Sequence, residues 1–191
     1  MFQLPDRKFR DFKAAMADGV VLTRVIPESV CAAGFFTVDT NGEDIEICPN
    51  YVVATGRSEL LACALANRGS VYPWFVALGD AAVAPTATWT ATDFVSTTGN
   101  EFVSYAGNRP NYTPDAVGAT DTSITNSASK AAFTINAAGP FTLDYAGIID
   151  LSTKGGFATD VLMAAAAFSS PRSVDNTDVV NIQYTLSLTS P

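Results

Sequence analysis

The stretch Val179-Val180-Asn181-Ile182-Gln183-Tyr184-Thr185-Leu186-Ser187-Leu188-Thr189 alternates apolar and polar side chains. From Val180 onward, every second residue is apolar, and each residue between is Asn, Gln, Thr or Ser. A period of two places the two sets on opposite faces of a β-strand. The pattern therefore predicts a strand over residues 179–189 with one buried face and one polar face.

The chain before this strand predicts further strands, separated by turns rich in Gly, Pro, Asn and Thr. Residues 161–168 include an alanine run with high helix propensity, but Gly155-Gly156 precedes them and Pro171 follows. We interpret this run as a central strand whose small side chains let another layer approach closely. The remaining predicted strands span residues 72–78, 101–105, 123–126, 130–136 and 141–150. Strands at this spacing predict a mainly β fold, an antiparallel β-sandwich of jelly-roll or Ig-like type.

The first third of the chain has a different pattern of predicted elements, with helices as well as strands. Asn41-Gly42 lies between two β-type runs and predicts a hairpin, since both residues tolerate positive φ. Apolar spacing predicts a short helix over residues 5–17, composition predicts another over 58–66, and β-branched residues predict a strand over 20–26. We therefore expect an N-terminal arm or lead-in over residues 1–68. A β-sandwich domain is expected over residues 69–191.

Composition favours contact with other proteins. Of the 191 residues, 48% are apolar and 16% are charged, against about 25% charged in typical globular domains. A surface of Ser, Thr, Ala and Gly costs little to desolvate. A sparsely charged β-protein without partners is the alternative. The net charge of −8, with basic residues clustered only at Arg7, Lys8, Arg10 and Lys13, argues against a nucleic-acid partner.

The sequence predicts no enzymatic activity, no cofactor and no metal. It contains no histidine, which excludes Ser–His and Cys–His nucleophile systems, although carboxylate, Lys or Tyr chemistry stays open. Cys31, Cys48 and Cys63 are too few and too scattered for a zinc site, so we expect them to be small buried side chains. The N-terminus has no signal-peptide pattern, and the longest apolar run is too short to span a bilayer. We therefore expect synthesis in the cytoplasm and no membrane partner.

Two groups of carboxylates could in principle carry acid–base or calcium chemistry. Glu43, Asp44 and Glu46 follow the predicted hairpin turn, and we expect them to form a solvated loop tip. Asp175 and Asp178 lack EF-hand spacing and are expected to serve turn chemistry.

The predicted contact residues are aromatic or basic. Trp89 lies in a polar Thr-rich stretch and is the best candidate for a contact anchor, while Arg109 and Tyr112 belong to a loop that we expect to be stiff and exposed. In the N-terminal arm the candidates are Arg7, Phe9 and Phe12. An alternative interpretation places four aromatic side chains either in a sugar-binding groove or in the core: Trp74, Trp89, Tyr105 and Tyr112.

Several stretches together resemble small virion structural proteins of tailed bacteriophages. They are Trp74-Phe75-Val76-Ala77-Leu78, Gly99-Asn100-Glu101-Phe102, Asn108-Arg109-Pro110 within 105–112, Ser123-Ile124-Thr125-Asn126-Ser127-Ala128, Ala132-Phe133-Thr134-Ile135, Ser152-Thr153-Lys154-Gly155-Gly156 and the final strand. With a lead-in at Gly42-Glu43 and Asn50-Tyr51-Val52-Val53, the resemblance covers most of residues 35–190.

This resemblance implies a particle protein without catalytic residues. We expect a capsid decoration, or cement, protein on the capsid surface, which forms a homo-oligomer (dimer or trimer) and binds the major capsid protein. A tail, neck or fibre-attachment protein of the virion is the first alternative. A host-glycan-binding module is the second.

Overall fold

The computed structural model describes residues 31–65, 73–96, 99–156 and 161–189. The predicted helix 5–17 and strand 20–26 lie outside the described residues. Cys31–Thr189 forms one compact unit, and its described residues are mainly β, as predicted. The helices are α1 (Ala54–Leu65) and α2 (Ala91–Val95). The strands are β1 (Cys31–Thr40), β2 (Glu43–Pro49), β3 (Tyr51–Val52), β4 (Phe75–Gly79), β5 (Ser123–Thr125), β6 (Ala131–Thr134), β7 (Phe141–Ile149), β8 (Leu162–Val174) and β9 (Val179–Thr189).

The first sheet, sheet A, is built around β9. Its strands run antiparallel in the order β2-β1-β9-β5. Strand β6 also pairs with β9, along the same edge of β9 as β5 but farther toward the start of β9. Strand β9 coincides with the predicted strand 179–189, and its inward side chains Val180, Ile182 and Tyr184 are buried. The alternation in the sequence thus predicted the element and its buried face as far as Tyr184, whereas Leu188 near the end of the same face is 47% exposed.

The second sheet, sheet B, has the order β3-β8-β7-β4 and is also antiparallel. The alanine run does form a strand, as predicted, although β8 continues through Pro171 to Val174 instead of ending before the proline. Helix α1 approaches β8 closely at Gly56, where an added Cβ would lie 2.1 Å from the carbonyl oxygen of Met163. A larger residue at that position would push the helix away from the sheet.

The main core contains side chains from both sheets. Phe36, Val38 and Ile182 of sheet A belong to the same buried cluster as Leu78 and Ile148 of sheet B. The sheets therefore share an apolar layer, as a sandwich requires. The finer choice between jelly-roll and Ig-like topology stays a prediction.

A second buried cluster covers the opposite face of sheet B. Helix α2 contributes Phe94, and the preceding segment contributes Trp89, whose ring lies 5.6 Å from that of Tyr145 on β7. Thr90 and Asp93 form a capping box at the start of α2, which stabilises this short helix where it packs. Sheet B is consequently covered on both faces.

The outer edge of β4 is also covered. The backbone amides of Phe102 and Tyr112 donate to the carbonyl oxygens of Leu78 and Trp74, at 2.9 and 2.8 Å respectively. The predicted strand over 101–105 is not continuous, since its residues form isolated bridges at Glu101 and Tyr105. This irregular segment nevertheless provides hydrogen-bond partners for the backbone groups at the edge of β4.

The strands of residues 31–52 pair with the rest of the fold. Strand β1 pairs with β9 in sheet A, and β3 pairs with β8 in sheet B. The described residues on both sides of the expected boundary at residue 68 therefore contribute to the same two sheets. An arm formed by the residues before Cys31 stays a prediction outside the described part of the chain.

Candidate interaction surface

The β1–β2 hairpin ends in the predicted Asn41-Gly42 turn. Asn41 has φ 54° and Gly42 has φ 80°, the left-handed conformation that such a turn requires. The Asn41 side chain also ties the turn to sheet A: its Oδ1 accepts from the amide of Val179 at 2.8 Å, and its Nδ2 donates to Asp178 at 2.9 Å. The turn thereby fixes the position of β2 at the edge of the sheet.

Strand β2 presents two isoleucines to solvent. Ile45 is 66% exposed and Ile47 is 65% exposed, although isoleucine is usually buried. The hairpin register pairs Phe36 with Cys48 and thereby turns Cys48 toward the core. Because the side-chain period of a strand is two, the same register turns both isoleucines outward.

The outward positions of β1 that pair with Ile47 and Pro49 are uncharged. Thr37 pairs with Ile47 on one side and with Gln183 on the other, and Phe35 pairs with Pro49 and Thr185. We name the residues of β1 and β2 on this face the β2 patch: Phe35, Thr37, Ile45, Ile47 and Pro49. Together they form a strip of apolar and uncharged polar side chains at the edge of the sheet.

The outer side of β2 has no ladder partner among the described strands. The amide of Asn50 donates to Gly34 at 3.1 Å, and the alternation of an antiparallel ladder then directs the peptide groups of Ile45 and Ile47 away from β1. Among the described strands, β1 is the partner of β2 and the opposite edge of β2 has none. An open edge with exposed isoleucines is a surface on which another chain can dock.

Acidic side chains flank the β2 patch. Glu43 and Asp44 are exposed, as expected for a solvated tip, but Glu46 is half-buried and pairs with Arg172 of β8 at 3.2 Å. Burial of Glu46 raises its pKa, yet hydrogen bonds from Ser169 and Cys48 and the charge of Arg172 outweigh this effect. The pKa of Glu46 is therefore below its ordinary value, so it is ionised and joins sheet A to sheet B.

Cys48 is a buried thiol of low reactivity. Burial and the adjacent Glu46 carboxylate raise its pKa to about 12, so the thiol stays protonated at neutral pH. The prediction of small buried cysteines is thus met by Cys48 and is wrong for Cys63, which is exposed on α1.

A cleft of about 470 Å³ lies between the hairpin and β8. Its walls include Glu43 and Asp44 on one side and Pro171 and Arg172 on the other. Charges of both signs line it, and Arg172 already contacts the Asp44 carbonyl and Glu46. We regard the cleft as the seam between the two sheets.

Arg109 is buried, and the expectation that it lies in an exposed loop is wrong. Its Nε and Nη2 donate to the two carboxylate oxygens of Glu101 at 2.6 and 2.7 Å. Arg109 also donates to the carbonyl oxygens of Leu151 and Gly156, and the Gly155 amide donates to Glu101. The pair therefore fastens the segment along β4 to the loop after β7, and it has no surface to offer a partner.

The other described contact candidates are core or half-buried residues. Trp89 is 6% exposed, too little for the contact anchor that we expected. Tyr112 is half-buried, with its ring 5.8 Å from Tyr184, and burial raises its pKa to about 12. Trp89 and Tyr105 belong to different buried clusters, so the four aromatics considered for sugar binding do not line one exposed groove.

Arg7, Phe9 and Phe12 lie outside the described residues, and their role at an interface stays a prediction. The exposed pair Ile45 and Ile47 was missed. The Asn41-Gly42 turn was the available signal, since a two-residue turn and an inward Cys48 together fix which face the isoleucines occupy.

The described residues contain no group of three or more His, Cys, Asp or Glu side chains arranged to hold a metal ion. Neither described helix has the length and apolar character needed to cross a membrane. Comparison of the chain with protein-family models, curated proteins and solved structures found no match.

Proposed function

We propose that this chain is a non-enzymatic structural protein of a tailed-phage particle, a capsid decoration protein that binds the major capsid protein. The observation that carries the proposal is the β2 patch, in which Ile45 and Ile47 are each about two-thirds exposed on an open strand edge. Burying one such side chain contributes about 1.5–3 kcal/mol. The low charge content of the chain supports the same mode of binding.

The acidic flank indicates the chemistry of the partner. Two copies of β2 paired edge to edge would bring Glu43, Asp44 and Glu46 of one copy near those of the other, and like charges on adjacent strands are destabilising. A capsid subunit with an extended apolar segment and nearby Lys or Arg would meet the isoleucines and the carboxylates together. The predicted homo-oligomer would then use a different surface.

The first test measures binding of the purified chain to phage capsids assembled without it. We expect Ile45→Lys/Ile47→Lys to weaken binding at least tenfold, because two apolar contacts are replaced by charges. The matched control is Leu61→Lys on α1, where the leucine is 61% exposed but lies outside the sheets. Wild-type affinity in the double variant, with an unchanged circular dichroism spectrum, would show that the β2 patch is not the binding surface.

A second test locates the protein in the particle. Immunogold labelling of purified virions should mark the whole icosahedral shell. Labelling confined to one vertex would replace the decoration proposal with the tail, neck or fibre alternative, and unlabelled virions would end the particle proposal. Light scattering of the purified chain distinguishes a monomer from the proposed dimer or trimer.

A further inference from the structure

Three polar side chains meet on the outer face of sheet A, next to the end of the β2 patch formed by Thr37 on β1. Asp39 belongs to β1, Asn181 belongs to β9 and Lys130 immediately precedes β6. Asp39 and Asn181 are directly opposite each other in the β1–β9 register, and β6 pairs with the other side of β9. Three adjacent strands therefore deliver a carboxylate, a side-chain amide and an amine to one place.

The Asp39 carboxylate bridges the other two groups. Its Oδ2 accepts from Lys130 Nζ at 2.9 Å, and its Oδ1 accepts from Asn181 Nδ2 at 2.7 Å. The Gly42 amide also donates to Oδ1, at 3.0 Å. The Asp39 side chain is 3% exposed, whereas that of Lys130 is 34% exposed. The amine of Lys130 and the amide of Asn181 are thus both held by hydrogen bonds to the same carboxylate.

We propose that Lys130 and Asn181 form an intramolecular isopeptide bond, with Asp39 as the proton relay. An amine, a carboxamide and a buried carboxylate are the groups that such a transamidation requires. Both nitrogen–oxygen distances lie within the roughly 2.6–3.2 Å over which a side chain can transfer a proton. Fixing the reactants on a rigid sheet replaces a bimolecular encounter with an intramolecular one, which favours the reaction.

The reaction is balanced without any further reagent. Asp39 takes a proton from the Lys130 ammonium, and the neutral Nζ attacks Cγ of Asn181. The Nζ–Cγ bond forms and the Cγ–Nδ2 bond breaks. Asp39 passes its proton to the departing nitrogen, which also receives the second amine proton and leaves as ammonium. Asp39 returns to its carboxylate form, and the chain has lost one molecule of ammonia.

The bond would lock β6 onto β9. The hydrogen bonds of the β6–β9 ladder involve four residue pairs between Ala131–Thr134 and β9, a short pairing for a strand of the core sheet. A covalent link at residues 130 and 181 closes the chain between them into a loop and restricts the unfolded state, as a disulfide does. This benefit concerns the stability of the chain itself and is independent of the proposed capsid role.

Intact mass spectrometry of the purified, denatured full chain tests the proposal. We expect a mass lower by one ammonia than the sequence requires, and a tryptic digest in which the peptide containing Lys130 is joined to the peptide containing Asn181. Asn deamidation would raise the mass and is therefore distinguishable. Full sequence mass in folded wild-type protein after prolonged incubation at neutral pH would overturn the proposal.

Substitutions distinguish a loss of the cross-linking reaction from a failure to fold. Lys130→Arg keeps the charge facing Asp39 but removes the nucleophilic amine, so it should fold and show no ammonia loss. Asp39→Asn should also abolish the loss, with folding monitored by circular dichroism. In the control Lys154→Arg the ammonia loss should persist, because Lys154 contacts the carbonyl oxygens of Val103 and Tyr105 instead. An ammonia loss that persists in Lys130→Arg would also refute the assignment.

Discussion

The two sheets differ in what covers their outer faces. The outer face of sheet B packs against helix α2 and the segment before it, and Phe94 and Tyr145 are fully buried there. Among the described residues, the outer face of sheet A has no such cover at the β2 patch, where Ile45 and Ile47 are exposed. The edges differ in the same way, since residues 100–112 cover β4, whereas no described strand pairs with the outer edge of β2. Within the described part of the chain, apolar side chains are therefore buried on the outer face of sheet B and exposed at the β2 patch of sheet A.

The largest expected effect comes from removing the cover of sheet B. Phe94 is fully buried, with its ring 5.1 Å from that of Tyr145 and packed against Gly147, where an added Cβ would lie 2.4 Å from the ring. Phe94→Ala should lower the free energy of unfolding by about 3–5 kcal/mol. The measurement is urea denaturation followed by circular dichroism.

Ile47→Ala on sheet A is the matched comparison. Because its side chain is largely exposed already, the free energy of unfolding should change by less than about 0.5 kcal/mol. Similar losses in the two variants would contradict the distinction between a covered and an open face.

The next effect concerns the buried Glu101–Arg109 pair at the covered edge. Glu101→Gln leaves the Arg109 guanidinium buried without its counter-charge and should cost about 3 kcal/mol of unfolding free energy. The side chains are 1% and 0% exposed respectively, so water cannot replace the lost partner. Chemical denaturation measures the change.

The double variant Glu101→Gln/Arg109→Met sharpens this prediction. Removing both charges should cost less than the sum of the two single substitutions, because no unpaired charge is left behind. Strictly additive losses would mean that the two residues stabilise the loops independently.

The sequence predicted elements whose information is local. The period of two in β9, the Asn41-Gly42 turn and the glycines and proline around the alanine run were enough to predict three parts of the sheets. Burial of Arg109 was unpredictable because its partners include Leu151 and Gly156, which are more than 40 residues away. Proline next to arginine is typical of an exposed loop, but hydrogen bonds to these distant carbonyl oxygens and the ion pair with Glu101 hold Arg109 in the interior.

The interaction surface was harder to predict than the fold. Isoleucine in a strand normally indicates the buried face, so Ile45 and Ile47 would be placed inward and Glu46 outward by hydrophobicity alone. The structure has the reverse, because Cys48 occupies the core and Glu46 reaches Arg172 on the other sheet. Apolar side chains on an exposed strand face break the rule by which buried faces are recognised from sequence.

The smallest expected effect concerns the seam between the sheets at low pH. The pKa of Glu46 is below its ordinary value of 4.5 in the folded protein, so its contribution to stability is present above that pH. The contribution is lost as the pH falls through the lowered pKa of the folded state. Glu46→Gln should therefore lose a fraction of a kcal/mol at pH 7, of the order found for partly exposed ion pairs, and the difference from the wild-type protein should shrink as the pH falls. Thermal denaturation of both proteins between pH 7 and pH 3 measures this convergence; a constant difference across the range would mean that Glu46 stabilises the seam without its charge.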